Sequence, residues 1–178
     1  MTKTFLASDH HLGHPSIITF ADQNGNIHRK FSSIEEHDEY LIEKHNAVVS
    51  PNDKVYFLGD FAMRKKSIKL AERFNGRKTL ILGNHDIFNT HEYTPHFENV
   101  RAYKVLNLRD NRRVILSHIP IHVESMGRFA ANIHGHLHTN NLRDTGIHLY
   151  FNLSMEQLDD YTPVDFDTFN TILNADHK

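Results

Sequence analysis

The sequence predicts a layered α/β domain, built on one mixed sheet or on two packed sheets. Two observations carry that expectation. Five short apolar runs stop at a Gly or Ser and pass directly into Asp, Asn or His: Phe5-Leu6-Ala7-Ser8-Asp9-His10-His11, Val55-Tyr56-Phe57-Leu58-Gly59-Asp60, Leu80-Ile81-Leu82-Gly83-Asn84-His85-Asp86, Val114-Ile115-Leu116-Ser117-His118 and Ala131-Asn132-Ile133-His134-Gly135-His136-Leu137-His138. Runs of this length and composition read as buried strands. Helical spacing separates the early runs and turn residues separate the later ones, which suits helices packed on a sheet followed by hairpins.

The elements follow in order. Met1-Thr2-Lys3-Thr4 leads straight into the first strand. Ser33-Ile34-Glu35-Glu36 is a capping box with Ser33 as N-cap. Ile34, Leu41, His45 and Val48 follow at helical spacing, with Ile42 and Val49 widening the stripe. Ser50-Pro51-Asn52-Asp53 ends that helix and turns into the second strand. A second helix is expected over Lys65–Phe74, with Ile68, Ala71 and Phe74 on one face and Asn75-Gly76 as its stop. Arg77–Leu82 is the third strand. Asn89–Asn99 shows no periodicity and reads as loop with room for a helix. Tyr103–Leu108 and Arg112–Leu116 form a hairpin around Arg109-Asp110-Asn111. His148–Leu153 is a further strand, and Asp165–Leu173 a closing helix after Pro163.

No repeat or Pro/Gly-rich linker interrupts the 178 residues, so residues 1–178 read as one domain. The net charge of −2, with histidine neutral, gives no overall basic field for nucleic acid. There is no cysteine, so any metal must be held by Asp, Asn or His. The N-terminal segment is too short for a secretory leader and no stretch approaches the ~20 apolar residues of a membrane span, so a soluble cytoplasmic protein is expected.

Sixteen histidines need a reason beyond composition. Asp9 and His11, and His136 and His138, are spaced i, i+2, which in extended chain puts both side chains on one face. Asp60 and Asn84 add oxygen ligands and His118 a nitrogen. Seven ligands exceed the needs of one tetrahedral ion and suit two ions sharing a carboxylate. Two ions roughly 3.5–4 Å apart clamp the attacking and leaving oxygens of a phosphoryl displacement. Oxygen and nitrogen donors without thiolate suit Mn²⁺, Fe, Ni²⁺ or Zn²⁺, and geometry alone does not choose among them; Mn²⁺ is the expected ion. Such a centre keeps excess positive charge, so its complement is an anionic substrate.

In order and spacing, Asp9-x-His11, Gly59-Asp60, Gly83-Asn84-His85-Asp86, His118 and Gly135-His136-x-His138 closely resemble the signature of the calcineurin-like metallophosphoesterases. His11-Leu12-Gly13-His14 looks like the compact bacterial and phage-type members. The resemblance implies a four-layer α/β-β/α sandwich with two divalent metal ions at the sheet edges. By that analogy Asp9, His11, Asp60 and His138 hold one ion, and Asp60, Asn84, His118 and His136 the other, with Asp60 bridging. His85 would lie over the phosphate and protonate the leaving oxygen. Arg64 stands four residues past Asp60, where protein phosphatases of this type carry a phosphate-gripping arginine. Met63 replaces the acidic residue those enzymes place before it, which argues against that branch and leaves Asp86 as a candidate to orient His85.

His14 and His122 flank the motifs as candidate substrate contacts. His10 should point away from its neighbours, and His134 reads as a buried, hydrogen-bonded histidine. His28-Arg29-Lys30 reads as a solvated turn, and His37 and His45 as ordinary surface or helix-packing residues. The expected activity is hydrolysis of phosphodiesters, and of monoesters, in a small phosphorylated substrate such as a nucleotide or cyclic nucleotide. The alternatives are a nuclease acting on DNA or RNA, for which Arg64-Lys65-Lys66 and Arg109–Arg113 are the only basic stretches, and a non-catalytic metal-binding interaction scaffold of the same fold.

Overall fold

A computed structural model describes residues 2–21, 23–142 and 149–175. Ser33 caps the longest helix as its sequence demands: its hydroxyl accepts from Glu36 N at 3.1 Å, and Glu36 reaches back to Ser32 N at 2.7 Å. In chain order the regular elements are β1 (Thr4–Ala7), α1 (Ile34–Val48), β2 (Lys54–Phe57), α2 (Lys65–Ile68), β3 (Arg77–Ile81), α3 (Thr90–Tyr93), β4 (Asn99–Arg101), β5 (Lys104–Asn107), β6 (Arg113–Leu116), β7 (Phe129–His134), β8 (Leu149–Asn152), β9 (Val164–Asp165) and α4 (Asp167–Ala175).

Two sheets result. One has the order β4-β3-β2-β1-β9, parallel except for β9, and the other the order β5-β6-β7-β8, parallel except for β5. Side chains alternate between two cores, as a period of two requires. Phe5, Ala7, Val55, Phe57 and Leu80 face α1 and α2 with Leu41, Ile42, Ile68 and Phe74. Leu6, Ile81, Val114, Leu116, Ala131 and Ile133 fill the space between the sheets, joined by Phe169 and Leu173 of α4. Full burial of one such side chain is worth about 1.5–3 kcal/mol. Strands packed on both faces hold their carboxyl ends in place, and those ends carry the polar residues.

Three expectations change. The helix expected over Lys65–Phe74 is α-helical only to Ile68 and continues as a 3-10 turn through Arg73. The segment Asn89–Asn99 contributes both α3 and the start of β4, a strand too short to show periodicity before Thr79–Ile81 pair with it. The closing helix begins at Asp167, not Asp165, because Phe166 N is taken by the Thr4 carbonyl and Asp165 Oδ1 accepts from Asp167 N. These bonds draw Val164–Asp165 into the sheet edge beside β1. The hairpin around Asp110 forms as predicted, and the expected start of the next strand at His148 lies outside the described residues.

Candidate metal centre

Five strand ends meet on one rim. Asp9 follows β1, Asp60 follows β2, Asn84 and His85 follow β3, His118 follows β6, and His136 and His138 follow β7. The i, i+2 pairs converge by a different route from the extended chain the spacing suggests. Asp9, His11, Asp60, His136 and His138 all have positive φ, between 48° and 70°. Left-handed backbone is uncommon for residues other than glycine, though Asp and His tolerate it better than most. Each such residue stores strain of order 1–3 kcal/mol, which persists where the surroundings over-determine it. Here backbone bonds do so: Asp9 N donates to Gly59 O at 3.0 Å, His11 N to Asp60 O at 2.9 Å and Leu12 N to Phe61 O at 2.9 Å.

Glycine before the ligand has a steric reason. Gly59 adopts φ +96°, and a Cβ there would lie 2.5 Å from His118 Nδ1 and 2.8 Å from Gly83 Cα. A Cβ on Gly83 would lie 2.2 Å from Asp60 Oδ1. Any larger residue would push a ligand aside.

The side chains form two overlapping groups, Asp9 with His11 and His138, and Asp9 with Asp60 and His118, each with candidate ligand atoms within 4.8 Å of one another. His11 Nε2 stands 3.7 Å from Asp9 Oδ1 and 3.8 Å from Asp60 Oδ2. His118 Nε2 is 3.3 Å from Asp60 Oδ2, and His138 Nε2 is 3.9 Å from Asp9 Oδ1. Asn84 Oδ1 lies 2.9 Å from His118 Nε2, and the His136 ring centre lies 5.1 Å from that of His118. Asp9 and Asp60 both approach His11, and Asp9 also groups with Asp60 and His118.

The donor set fits a divalent cation. Asp9 Oδ1 and both ring nitrogens of His11 are buried without a hydrogen-bond partner among the described residues, a costly state for polar groups unless something else satisfies them. Oxygen and imidazole ligands in this mixture suit Mn²⁺, Fe²⁺ or Zn²⁺. Burial by itself would raise the Asp9 carboxyl, but the neighbouring imidazoles of His11, His118 and His138 outweigh it and hold it far below the usual range. Burial likewise opposes ionisation of Asp60, and His118 reverses the effect and lowers its pKa. The site keeps two carboxylates ionised at neutral pH.

The remaining predicted residues divide. Asn84 and His85 are exposed on the turn after β3, with the His85 ring centre 5.7 Å from that of His11 and its backbone N donating to Asp60 Oδ1 at 2.8 Å. His14 sits 6.1 Å from His11, and burial followed by the charges of His11, His85, Arg29 and Arg64 lowers its pKa. Arg64 is exposed at the start of α2. Asp86 serves the backbone and not the imidazole of His85: its carboxylate accepts from Asp60 N at 2.7 Å, Gly83 N at 2.9 Å and Phe61 N at 3.2 Å. Burial raises its pKa to about 6. His122 is exposed and accepts from Glu124 N at 3.3 Å. His10 turns into the aromatic core against Phe57, Phe61 and Phe74, and His134 Nδ1 pairs with the Gly135 carbonyl.

Behind the ligands lies a layer that sequence reading misses. Arg29, expected in a solvated turn, is 0% exposed and bonds the carbonyls of Asp9 and His10 and the carboxylate of Glu156. His37, expected as ordinary packing, contacts Arg29 and Asp38. Ser154 Oγ donates to Asp9 Oδ2 at 2.9 Å, and Glu156 faces His138 Nδ1 at 3.1 Å. Ser154 and Glu156 follow β8, so the strand-end rule that locates the ligands would have located them too. Nothing in the local sequence marks Arg29.

No family model matches the chain. The chain is 32% identical over 175 residues to the uncharacterized protein MJ1445 of Methanocaldococcus jannaschii, a match covering 94% of this chain and 89% of that protein. Its fold is similar to that of AQ665 from Aquifex aeolicus, a protein of unknown function, with a TM-score of 0.78, 23% identity and coverage of 97% of this chain and 100% of that one. It is also similar to the structure of an archaeal phosphodiesterase, with a TM-score of 0.50, 20% identity and coverage of 85% and 82%. With its strand-end ligands on a pair of parallel-rich sheets, the chain has a fold of the metallophosphoesterase type and belongs to the same family as MJ1445.

Proposed function

We propose that the protein is a phosphoesterase dependent on two divalent metal ions, hydrolysing phosphodiester bonds, and monoesters, in a nucleotide-like substrate. The observation that carries this reading is an exposed histidine, His85, poised 5.7 Å from His11 at the lip of the Asp–His cluster. Asp9, His11, Asp60 and His138 would hold one ion, and Asp60, Asn84, His118 and His136 the other. Bound ions would supply positive charge to the non-bridging oxygens and acidify a water. In the reaction an oxygen from water forms the new P–O bond, the bond to the ester oxygen breaks, and His85 donates the proton that this oxygen takes up. The Asn84 amide and Arg64 stabilise the charge gained at phosphorus. A proton donor at the rim, with the carboxylates kept ionised below it, suits a poor alkoxide leaving group.

A cleft of about 340 Å³ opens beside the cluster, lined in part by His136, His138, Ile17, Phe20, Leu137 and Asn140. Phe20 is 49% exposed there. An aromatic face next to the reacting centre suits a flat nucleoside group, and bases stack on such faces with little sequence preference. The net charge of −2 favours this small substrate over long DNA or RNA. Assays with bis(p-nitrophenyl) phosphate and p-nitrophenyl phosphate in Mn²⁺, repeated with chelator, test the reading. Chelator-sensitive turnover supports it, and no turnover with any divalent ion turns the assignment towards a binding scaffold.

A further inference from the structure

We infer that Arg29 and Glu156 form a buried positioning pair that aims His138 and the Asp9–His11 turn at the metal, an inference that rests on the metal-dependent reading above. Arg29 is 0% exposed and its guanidinium is almost fully used. Nη2 donates to the Asp9 carbonyl at 2.6 Å, Nη1 to the His10 carbonyl at 3.0 Å, and Nε to Glu156 Oε1 at 2.8 Å. Nη1 also meets His37 Nε2 at 3.1 Å. Arginine can only donate, so this nitrogen accepts, and the proton of His37 lies on Nδ1, which gives it to Asp38 Oδ1 at 2.9 Å. Asp38 Oδ2 in turn accepts from Gly13 N at 2.9 Å. One side chain thus grips the turn between Asp9 and Gly13 from both ends.

The other arm reaches a ligand directly. Glu156 Oε1 lies 3.1 Å from His138 Nδ1. A carboxylate there accepts a hydrogen bond from Nδ1–H and so leaves Nε2 bare, facing Asp9 Oδ1 at 3.9 Å. Partners of this kind fix the tautomer and the ring orientation of a metal-binding histidine, and losing one typically weakens metal binding ~10–100-fold. A pair serving stability alone could be replaced by apolar residues of similar volume with little loss. This pair addresses the carbonyl of a residue at φ 60° and the free nitrogen of a ligand, which apolar groups cannot do.

The test is Mn²⁺ titration by calorimetry, alongside thermal melts, on wild type, Glu156→Ala, Glu156→Gln, Arg29→Met and the double variant Arg29→Met/Glu156→Ala. Glu156→Ala is expected to weaken Mn²⁺ binding about 10–100-fold, and Glu156→Gln, whose amide oxygen still accepts from Nδ1–H, to recover most of that loss. Arg29→Met strands the Glu156 charge and lowers the melting temperature. The double variant regains part of the melting temperature lost in Arg29→Met, the Asp9 and His10 carbonyls staying unpaired, but keeps the weakened Mn²⁺ binding. If all folded variants bind Mn²⁺ within twofold of wild type, or if the double variant regains affinity together with stability, the positioning role is refuted. If wild type itself binds no Mn²⁺, the metal-dependent reading fails first.

Discussion

His118 Nε2 lies 2.9 Å from Asn84 Oδ1, although the other nitrogen of that ring is already paired with the Leu58 carbonyl at 2.8 Å. With the proton on Nδ1, a neutral His118 turns a bare nitrogen towards a carbonyl oxygen. Two acceptors at that distance repel unless a proton or a cation lies between them. Burial opposes a charge on His118, yet contact with Asp60 raises its pKa, so the pocket already favours positive charge at this point.

A cation that satisfies these groups binds the folded chain and not the unfolded one. At a concentration a hundred times its dissociation constant, that linkage adds about 2.7 kcal/mol, or roughly 5–10 °C in melting temperature for a chain of this size. Saturating Mn²⁺ should produce the shift and chelator should reverse it. Asp60→Asn, which removes a carboxylate oxygen facing both His11 and His118, should weaken Mn²⁺ by ~100-fold or more. An unchanged melting temperature in Mn²⁺ would contradict the assignment.

His85 is expected to act on the proton and not on the metal. His85→Ala should lower turnover of an alkyl diester about 10²–10⁴-fold while leaving Mn²⁺ affinity near that of wild type. With a p-nitrophenolate leaving group, which departs without a proton, the loss should be much smaller. Equal losses on both substrates would show that His85 does not act as the acid.

Phe20→Ala should raise KM for a nucleoside-bearing diester by ~10-fold, within the range of one stacking contact, and leave kcat and the hydrolysis of methyl p-nitrophenyl phosphate unchanged. Equal effects on the two substrates would remove the cleft from substrate recognition.

His45 gives a pH signature away from the metal cluster. Burial drives its pKa down to about 4, against the hydrogen bond to the Asn75 carbonyl, which favours the charged form. In the unfolded chain the group titrates near 6.5. Between these values the unfolded state binds more protons, so stability is full above pH 6.5 and falls as pH drops towards 4, by about 3 kcal/mol from this group. Urea midpoints for wild type and His45→Gln at pH 7.5 and 4.5 should show a shallower pH dependence in the variant. Identical slopes would exclude His45 as a source of acid lability.

The clustering of the candidate ligands was legible because strand ends punctuate the sequence. Asp9, Asp60, Asn84, His118 and His136 each stand just past an apolar run, and backbone pairing brings such positions to one edge. β9 was not legible, because Val164 and Asp165 are strand only through partners in β1, more than 150 residues away. Arg29 was not legible either. Its flanks, His28 and Lys30, are polar, and the Asp9 and His10 carbonyls, His37 and Glu156 together make burial of a guanidinium tolerable.

By itself the sequence determined the strands, the capped helix at Ser33 and the Asp, Asn and His side chains proposed to hold metal, since these follow from local hydropathy, capping chemistry and side-chain type. Tertiary structure alone decided how the ligands are aimed. The left-handed turns at Asp9, His11, His136 and His138 and the buried pair behind them are strained or desolvated states. Such states exist only where distant segments supply the compensating hydrogen bonds, and no local pattern encodes that supply.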